Sequence, residues 1–109
     1  MIPSTQRIPI REGDVDTWDV DWADWLAAKT EEYGSEVTIA TSVWTSSDPE
    51  IVAVLDDPPP ALFGTDDTTA RAWWEALGTA TNEATITNTI TTSAGHVRSE
   101  AVVFVIVKP

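Results

Sequence analysis

The last quarter of the chain alternates between two kinds of residue, the period-two pattern typical of a β-strand. Between residues 84 and 91, one face carries Ala84, Ile86, Asn88 and Ile90, and the other face carries only Thr. Residues 93–96 supply a turn, in which Gly95 can take a positive φ. A second strand follows, with apolar residues on both faces near its end, so we expect it to be covered on both sides. The pattern predicts a long β-hairpin.

Four earlier segments are also predicted as strands, at residues 17–22, 36–45, 51–55 and 68–77. The last of them also contains good helix formers, but the neighbouring strands favour a strand. In the first, Trp18 and Trp22 alternate with Asp19 and Asp21. Because the aspartates must stay in water, we expect both Trp side chains to face the core. The residues predicted to lead the core are Val37, Ile39, Ile86, Ile90, Val103 and Val105.

A short helix and an irregular loop interrupt these strands. Trp22, Trp25, Leu26 and Lys29 fall at helical spacing, which predicts a single helical turn that ends near Gly34. Residues 56–67 contain three consecutive Pro, which lack amide donors and break a strand ladder. We expect this loop to be the least regular part of the chain.

The elements predict an all-β protein: a single immunoglobulin-like β-sandwich of about six or seven strands, with one short helix and an extended N-terminal arm. A chain of 109 residues corresponds to one domain. We expect residues 1–13 to form the arm and residues 14–109 the sandwich. Within the arm, residues 8–10 are suited to a sheet edge, where Pro is tolerated.

Charge and cysteine content narrow the function. The formal net charge is −12 and the few basic residues do not cluster, which argues against nucleic acid and anionic membranes as partners. An acidic surface suits a basic protein partner or an assembly with oppositely charged neighbours. The chain has no Cys, and its first residues lack the pattern of a signal peptide. We therefore expect synthesis and folding in the cytoplasm.

No catalytic constellation is evident, and we expect no enzymatic activity, cofactor or catalytic residue. His96 is the single His and lies in the predicted turn. The acidic run at residues 14–24 fails the EF-hand pattern, because Asp19 and Trp25 occupy the positions of the required Gly and Glu. A calcium site with a less regular spacing remains an alternative. The acidic residues are also explained as the solvent-exposed face of a strand, and we expect no metal. We interpret the paired aspartates at residues 56–57 and 66–67 as charged loop residues that are exposed to solvent.

Trp73 and Trp74 are a candidate binding feature. Adjacent strand residues face opposite sides, so one Trp can be core and the other exposed, and the sequence does not say which. The alternative is that both are buried in core and loop contacts. An exposed Trp anchors protein interfaces or stacks on sugar rings. We expect partner contacts in the arm and in the 56–67 loop. The candidate partner-binding residues are Ile2, Ile8, Ile10, Asp56, Pro59, Phe63 and Trp73.

Three blocks in order carry a family resemblance: VDWADWL at 20–26, TIATSVWT at 38–45 and TNTITTSAG at 87–95. With them, the chain resembles the phage fiber-tail adaptor family, small β-sandwich virion proteins of tailed bacteriophages and prophages. Residues 27–36 are longer than the family pattern, and residues 48–81 do not align with it. The resemblance carries over no catalytic or metal residues.

The resemblance implies a structural virion protein that joins fiber, tail or neck components. Its expected partners are other phage structural proteins, with several copies of the chain in each virion. The alternative from a different class is a carbohydrate-binding β-sandwich that uses an exposed Trp as its platform. Tight glycan binding, together with absence from purified virions, would favour that alternative.

Overall fold

The structure, a computed structural model, describes residues 6–108, which form two packed β-sheets and one α-helix. The helix, α1, spans Ala23–Tyr33. The strands are β1 (Gln6–Arg11), β2 (Val15–Asp21), β3 (Ile39–Ser46), β4 (Val52–Val54), β5 (Ala61–Phe63), β6 (Thr69–Ala76), β7 (Glu83–Thr92) and β8 (Val97–Val107). The all-β sandwich prediction is confirmed, with eight strands in the described residues where about six or seven were expected.

The strands are divided between two sheets. Sheet A has the order β1-β8-β7-β3, and sheet B has the order β2-β6-β4, with β5 also paired to β6. The predicted hairpin is present as β7 and β8, which pair antiparallel from Glu83↔Val105 to Thr91↔Val97. β1 pairs parallel to β8 at the edge of sheet A. Within residues 6–108, the first and the last strand are therefore neighbours in sheet A.

The main core lies between the sheets and corrects one part of the sequence prediction. Ile86 and Ile90 are buried as predicted, and so is Val37, although it precedes β3. Val103 and Val105, predicted as core, are half-buried on the outer face of β8. The buried residues of β8 are Val102, Phe104 and Ile106. Both faces of β8 are apolar near its end, so the sequence pattern does not indicate which face is buried. The buried face is set by pairing with the inward residues of β7.

The indole side chains of Trp18 and Trp22 both face the core, as predicted. Trp22 is 2% exposed, and its Nε1 donates a hydrogen bond to Oδ1 of Asn88 on β7 at 2.9 Å. Trp18 is half-buried, with its ring centroid 5.7 Å from that of Trp44 and 6.5 Å from that of Phe104. The aromatic face of β2 thus joins sheet B to sheet A.

The helix is longer than the single turn predicted, with 11 residues. Trp22 occupies its N-cap position, and the backbone N–H of Ala23 donates to Oδ1 of Asp21 at 2.9 Å. Leu26 is its buried residue. The helix ends at Gly34, which has a φ of 82° and donates its backbone N–H to the carbonyl of Thr30. The left-handed conformation at Gly34 lets the chain turn back towards β3.

Replacing Gly34 with Ala is expected to lower the free energy of unfolding by about 1–2 kcal/mol, because an L-residue pays a steric cost in the left-handed region. No atom lies within 4 Å of the position where a Cβ would be added, so the cost is one of backbone conformation and not of collision. Urea unfolding measures the difference, with Ser35→Ala as the control. Equal stability of the two variants would contradict a left-handed conformation at Gly34.

The loop at residues 56–67 is more regular than expected. β5 pairs with β6 through Ala61↔Arg71 and Phe63↔Thr69, and a short 3-10 turn covers Thr65–Asp67. Leu62, between the two outward residues of β5, packs against buried residues of the core. The prediction was wrong for the second half of this loop, because a three-residue strand leaves too few positions to show alternation.

Residues 6–11 of the predicted extended arm form the edge strand β1, as expected for residues 8–10. Ile10 is 4% exposed, and Ile8 is half-buried against the same core cluster. Pro9 lies at this edge, where its missing N–H is tolerated. Ile2 lies outside the described residues. The boundary at residue 13 between arm and sandwich stays a prediction.

Candidate partner-binding surfaces

The outer face of sheet B brings together two of the predicted partner-binding residues. Trp74 points into the core at 5% exposed, so Trp73 lies on the outer face, where it is half-buried. Phe63 is on the same outer face of neighbouring β5, 37% exposed. The question left open for the Trp pair is therefore decided: Trp73 is the outward one.

Arg71 lies between Phe63 and Trp73 and is held firmly in place. Its Nε and Nη2 donate to the two carboxylate oxygens of Asp19 on β2, at 2.7 and 2.9 Å. Its Cζ lies 4.3 Å from the centroid of the Phe63 ring. The hydrogen bonds that Arg71 donates to Asp19 raise the pKa of Arg71 above its usual value. We call Asp19, Phe63, Arg71 and Trp73 the sheet B patch.

The sheet B patch places an ion pair beside aromatic rings. Bidentate pairing along one edge fixes the plane of a guanidinium and leaves its face free to stack on an aromatic ring. The pair also neutralises the charge of Asp19 in a chain whose net charge is −12. The result is a flat surface of aromatic rings and a compensated ion pair, suited to contact with another protein.

The remaining predicted residues fall in two other places. Asp56 and Pro59 are exposed in the connection between β4 and β5. This connection leaves sheet B beside Trp73, because the N–H of Leu55 donates to the Trp73 carbonyl at 2.9 Å. Ile8 and Ile10 belong to sheet A, and their side chains are engaged with the core.

Two members of the sheet B patch were not identified from the sequence. Asp19 and Arg71 each lie on the polar side of a predicted strand, but their contact depends on the antiparallel register of β2 and β6. That register is set by the pairing of Val20 with Ala70 and of Trp18 with Ala72 on the core side. Once the strand order is known, opposite charges on the outward faces of neighbouring strands are the signal that would identify such an ion pair.

His96 lies in the turn between β7 and β8, as expected. Its backbone N–H donates to Oγ1 of Thr92 at 3.0 Å, and its ring lies 6.4 Å from the ring of Tyr33 in an edge-to-face arrangement. Within residues 6–108, no group of three or more His, Cys, Asp or Glu side chains is placed to hold a metal ion. No helix in the described part of the chain is long and apolar enough to span a bilayer.

A comparison with protein families supplies the identification. Residues 11–105 match the family described as podophage GP4 fiber-tail adaptor protein gp77. The chain belongs to this family. The match confirms the resemblance to phage fiber-tail adaptors, and it indicates a structural adaptor role in a podophage virion. A comparison with curated proteins found no match.

The matched region of this fiber-tail adaptor covers all of sheet B, the helix and most of sheet A. It contains the whole sheet B patch. It begins at Arg11, so Ile2, Ile8 and Ile10 lie before it. Among the candidate residues, the family match therefore covers those on sheet B and in the loop before β5.

Proposed function

We propose that the protein is a non-enzymatic connector that joins fiber, tail or neck components of a podophage, and that the sheet B patch seats one of them. The observation that carries this proposal is the family match over residues 11–105. Its partners are other phage structural proteins, and several copies act in each virion, after synthesis in the host cytoplasm. A net charge of −12 argues against nucleic acid and anionic membranes as further partners.

The composition of the sheet B patch supports this assignment. Trp and Arg are the residue types that most often carry the binding energy of protein interfaces, and aromatic residues are enriched at interface centres. Trp73 is half-buried, the Phe63 ring already lies against the Arg71 guanidinium, and Arg71 is already fixed by Asp19. Little side-chain freedom is left to lose on binding, which reduces the entropic cost of association. Asp56 and Pro59 extend the same surface towards β4.

Replacing Trp73 with Ala in the phage is expected to lower the amount of this protein in purified particles about tenfold or more, as for an interface residue whose truncation costs 1.4 kcal/mol or more. Phe63→Ala should act in the same direction. Quantitative mass spectrometry of the particles measures both. Val43→Ala is the matched control, since Val43 is 53% exposed on the opposite sheet.

Normal incorporation of the Trp73→Ala protein would contradict the role of the sheet B patch. The intact protein must itself be present in particles, and its absence would contradict the connector function. If the intact protein is absent and binds glycans tightly through Trp73, the carbohydrate-binding function replaces the connector function.

A further inference from the structure

Strand β3 is an edge of sheet A that lacks protection against pairing with a further strand. Within residues 6–108 it is paired only with β7, and its sequence, IATSVWTS, contains no charged residue and no Pro. The other long edges are protected, because β1 carries Pro9 between two Arg residues and β2 carries three Asp residues. β4 and β5 have only three residues each. Charges, Pro and short length prevent edge-to-edge association, so β3 is the edge best suited to accept a neighbour.

The open part of this edge is centred on Val43. A register shift interrupts the start of β3 before Thr41, and at its end Oγ of Ser46 donates to the carbonyl of Val52 on β4 at 2.6 Å. The regular stretch between these two points is residues 41–45. A groove of about 210 Å³ separates the first half of β3 from β5, so sheet B does not cover the edge there.

Alternate residues of this stretch point their backbone groups away from the sheet. The N–H of Ser47 donates to the carbonyl of Thr85 on β7 at 2.9 Å, so the residues in step with Ser47, at 41, 43 and 45, also face β7. The backbone N–H and C=O groups of Ser42 and Trp44 therefore face outward from the edge. On the outer face of the sheet, the exposed side chains are those of Thr41, Val43 and Thr45.

We propose that two copies of the chain pair through this edge, with their β3 strands antiparallel and a two-fold axis at Val43. In this register, Ser42 of each copy exchanges backbone hydrogen bonds with Trp44 of the other, and the two A sheets become one continuous sheet. On the outer face, Val43 meets Val43 and Thr41 meets Thr45. Such pairs of β-branched residues stabilise neighbouring strands. The pairing goes beyond the connector function, and it leaves the sheet B patch free.

The distribution of charge allows a second copy to approach this edge, although each chain has a net charge of −12. No charged residue lies between Glu36 and Asp48 in the sequence, and the outward residues of β7 beside this stretch are Thr. Charges farther apart than about 8 Å are largely screened at physiological salt. We therefore expect the pairing to become tighter as the salt concentration rises, whereas salt would weaken the binding of a basic partner.

Residues 1–5 of the chain are too far away to occupy this edge. They join β1 at Gln6, and β8 and β7 lie between β1 and β3. A strand added beside β3 would be about 19 Å from β1, at roughly 4.8 Å per strand spacing. Gln6 is level with Ser46, so the place opposite Val43 lies a further ~10 Å along the sheet. Five residues span at most ~18 Å and do not reach it.

Disulfide trapping in the purified protein tests the pairing and its register. The chain has no Cys, so one introduced thiol reports on one position. Opposite residues of a non-hydrogen-bonded antiparallel pair have Cα atoms about 4.5 Å apart, within the range of a disulfide. With oxidised glutathione as the oxidant, we expect Val43→Cys to form a disulfide-linked dimer. Non-reducing electrophoresis and mass spectrometry measure the yield.

Two further thiol variants fix the register. Thr41→Cys alone should not link, because its two copies would lie about 14 Å apart across the axis, at roughly 3.3 Å per residue. A mixture of the Thr41→Cys and Thr45→Cys proteins should link, because these positions are opposite each other in the proposed register. Val97→Cys is the control for random collision, since Val97 is 64% exposed on β8 and away from this edge.

Charge variants provide a second readout, by sedimentation equilibrium. Val43→Lys places two like charges opposite each other at the axis, and we expect it to raise the dissociation constant of the dimer about tenfold or more. Val43→Glu should act in the same way, whereas a mixture of the two variants should form dimers with one copy of each. Val97→Lys adds the same charge elsewhere and should leave the dissociation constant unchanged. Val43→Ala keeps the backbone edge and adds no charge, so it should leave the pairing in place.

The outcomes separate the pairing from the connector function. No disulfide with Val43→Cys, or an equal yield with Val97→Cys, would overturn the pairing. A protein that stays monomeric at every concentration would also overturn it, as would a mixture of the Val43→Lys and Val43→Glu proteins that forms no dimer. If Val43→Cys links only to a different protein in particles, the edge belongs to that protein and not to a second copy. Absence of the chain from particles overturns the connector function and leaves these measurements on the purified protein unaffected.

Discussion

Replacing Phe104 with Ala is expected to lower the free energy of unfolding by about 3–5 kcal/mol, through lost burial and the cavity that remains. Phe104 is 2% exposed, its ring centroid is 4.6 Å from that of Trp74 and 6.5 Å from that of Trp18, and it belongs to the main core cluster. Because Phe104 belongs to sheet A and both Trp rings belong to sheet B, the cavity would lie where the sheets meet. Chemical denaturation followed by Trp fluorescence measures the change.

Val105→Ala is the matched control on the same strand. Val105 is half-buried on the outer face of sheet A, so its truncation should cost less than about 1 kcal/mol. A larger loss in Val105→Ala than in Phe104→Ala would mean that β8 presents its other face to the core.

Replacing Asn88 with Ala is expected to cost about 1–3 kcal/mol, because it leaves the buried indole N–H of Trp22 without an acceptor. Asn88 is 0% exposed in the middle of β7, and its Nδ2 also donates to Oγ of Ser42 at 2.9 Å and to the carbonyl of Val43 at 3.2 Å. One amide therefore ties together β3, β7 and the N-cap of α1. Urea unfolding at neutral pH gives the loss.

A double-mutant cycle with Trp22→Phe isolates the hydrogen bond. Phe removes the donor, so Asn88→Ala should cost less in the Trp22→Phe background, with a coupling energy of about 0.5–3 kcal/mol. Additive losses would show that the contact between Trp22 and Asn88 does not stabilise the fold.

The strands that could be located from the sequence are those in which one face is polar. Thr alternates with apolar residues along β7, and Asp19 and Asp21 alternate with Trp18 and Val20 in the second half of β2, so both the element and its buried face were identified correctly. β8 lacks this contrast: Val103 and Val105 are as apolar as Val102 and Ile106. Its strand character was evident, but its inward face depended on pairing with β7, which no local pattern encodes.

The proposed binding surface was predictable only in part, for a similar reason. Trp73 and Phe63 could be proposed because large aromatic residues near turns and loops stand out in a sequence. Asp19 and Arg71 could not, since 52 residues separate them and only the register of β2 and β6 brings them together. The length of α1 was underestimated because most of its residues after Leu26 are exposed, so apolar periodicity ends before the helix does.

The parallel pairing of β1 with β8 has a consequence for the order of folding. Gln6 meets Val102 only after a loop on the order of 100 residues has closed, at an entropic cost of roughly 4 kcal/mol plus a constant. During synthesis, β8 leaves the ribosome after β1 to β7, so β1 waits with the side chain of Ile10 still in water. Contacts at such long range slow the folding of β-proteins. Sheet A therefore gains its last strand late, and the nascent adaptor is most prone to aggregation just before that step.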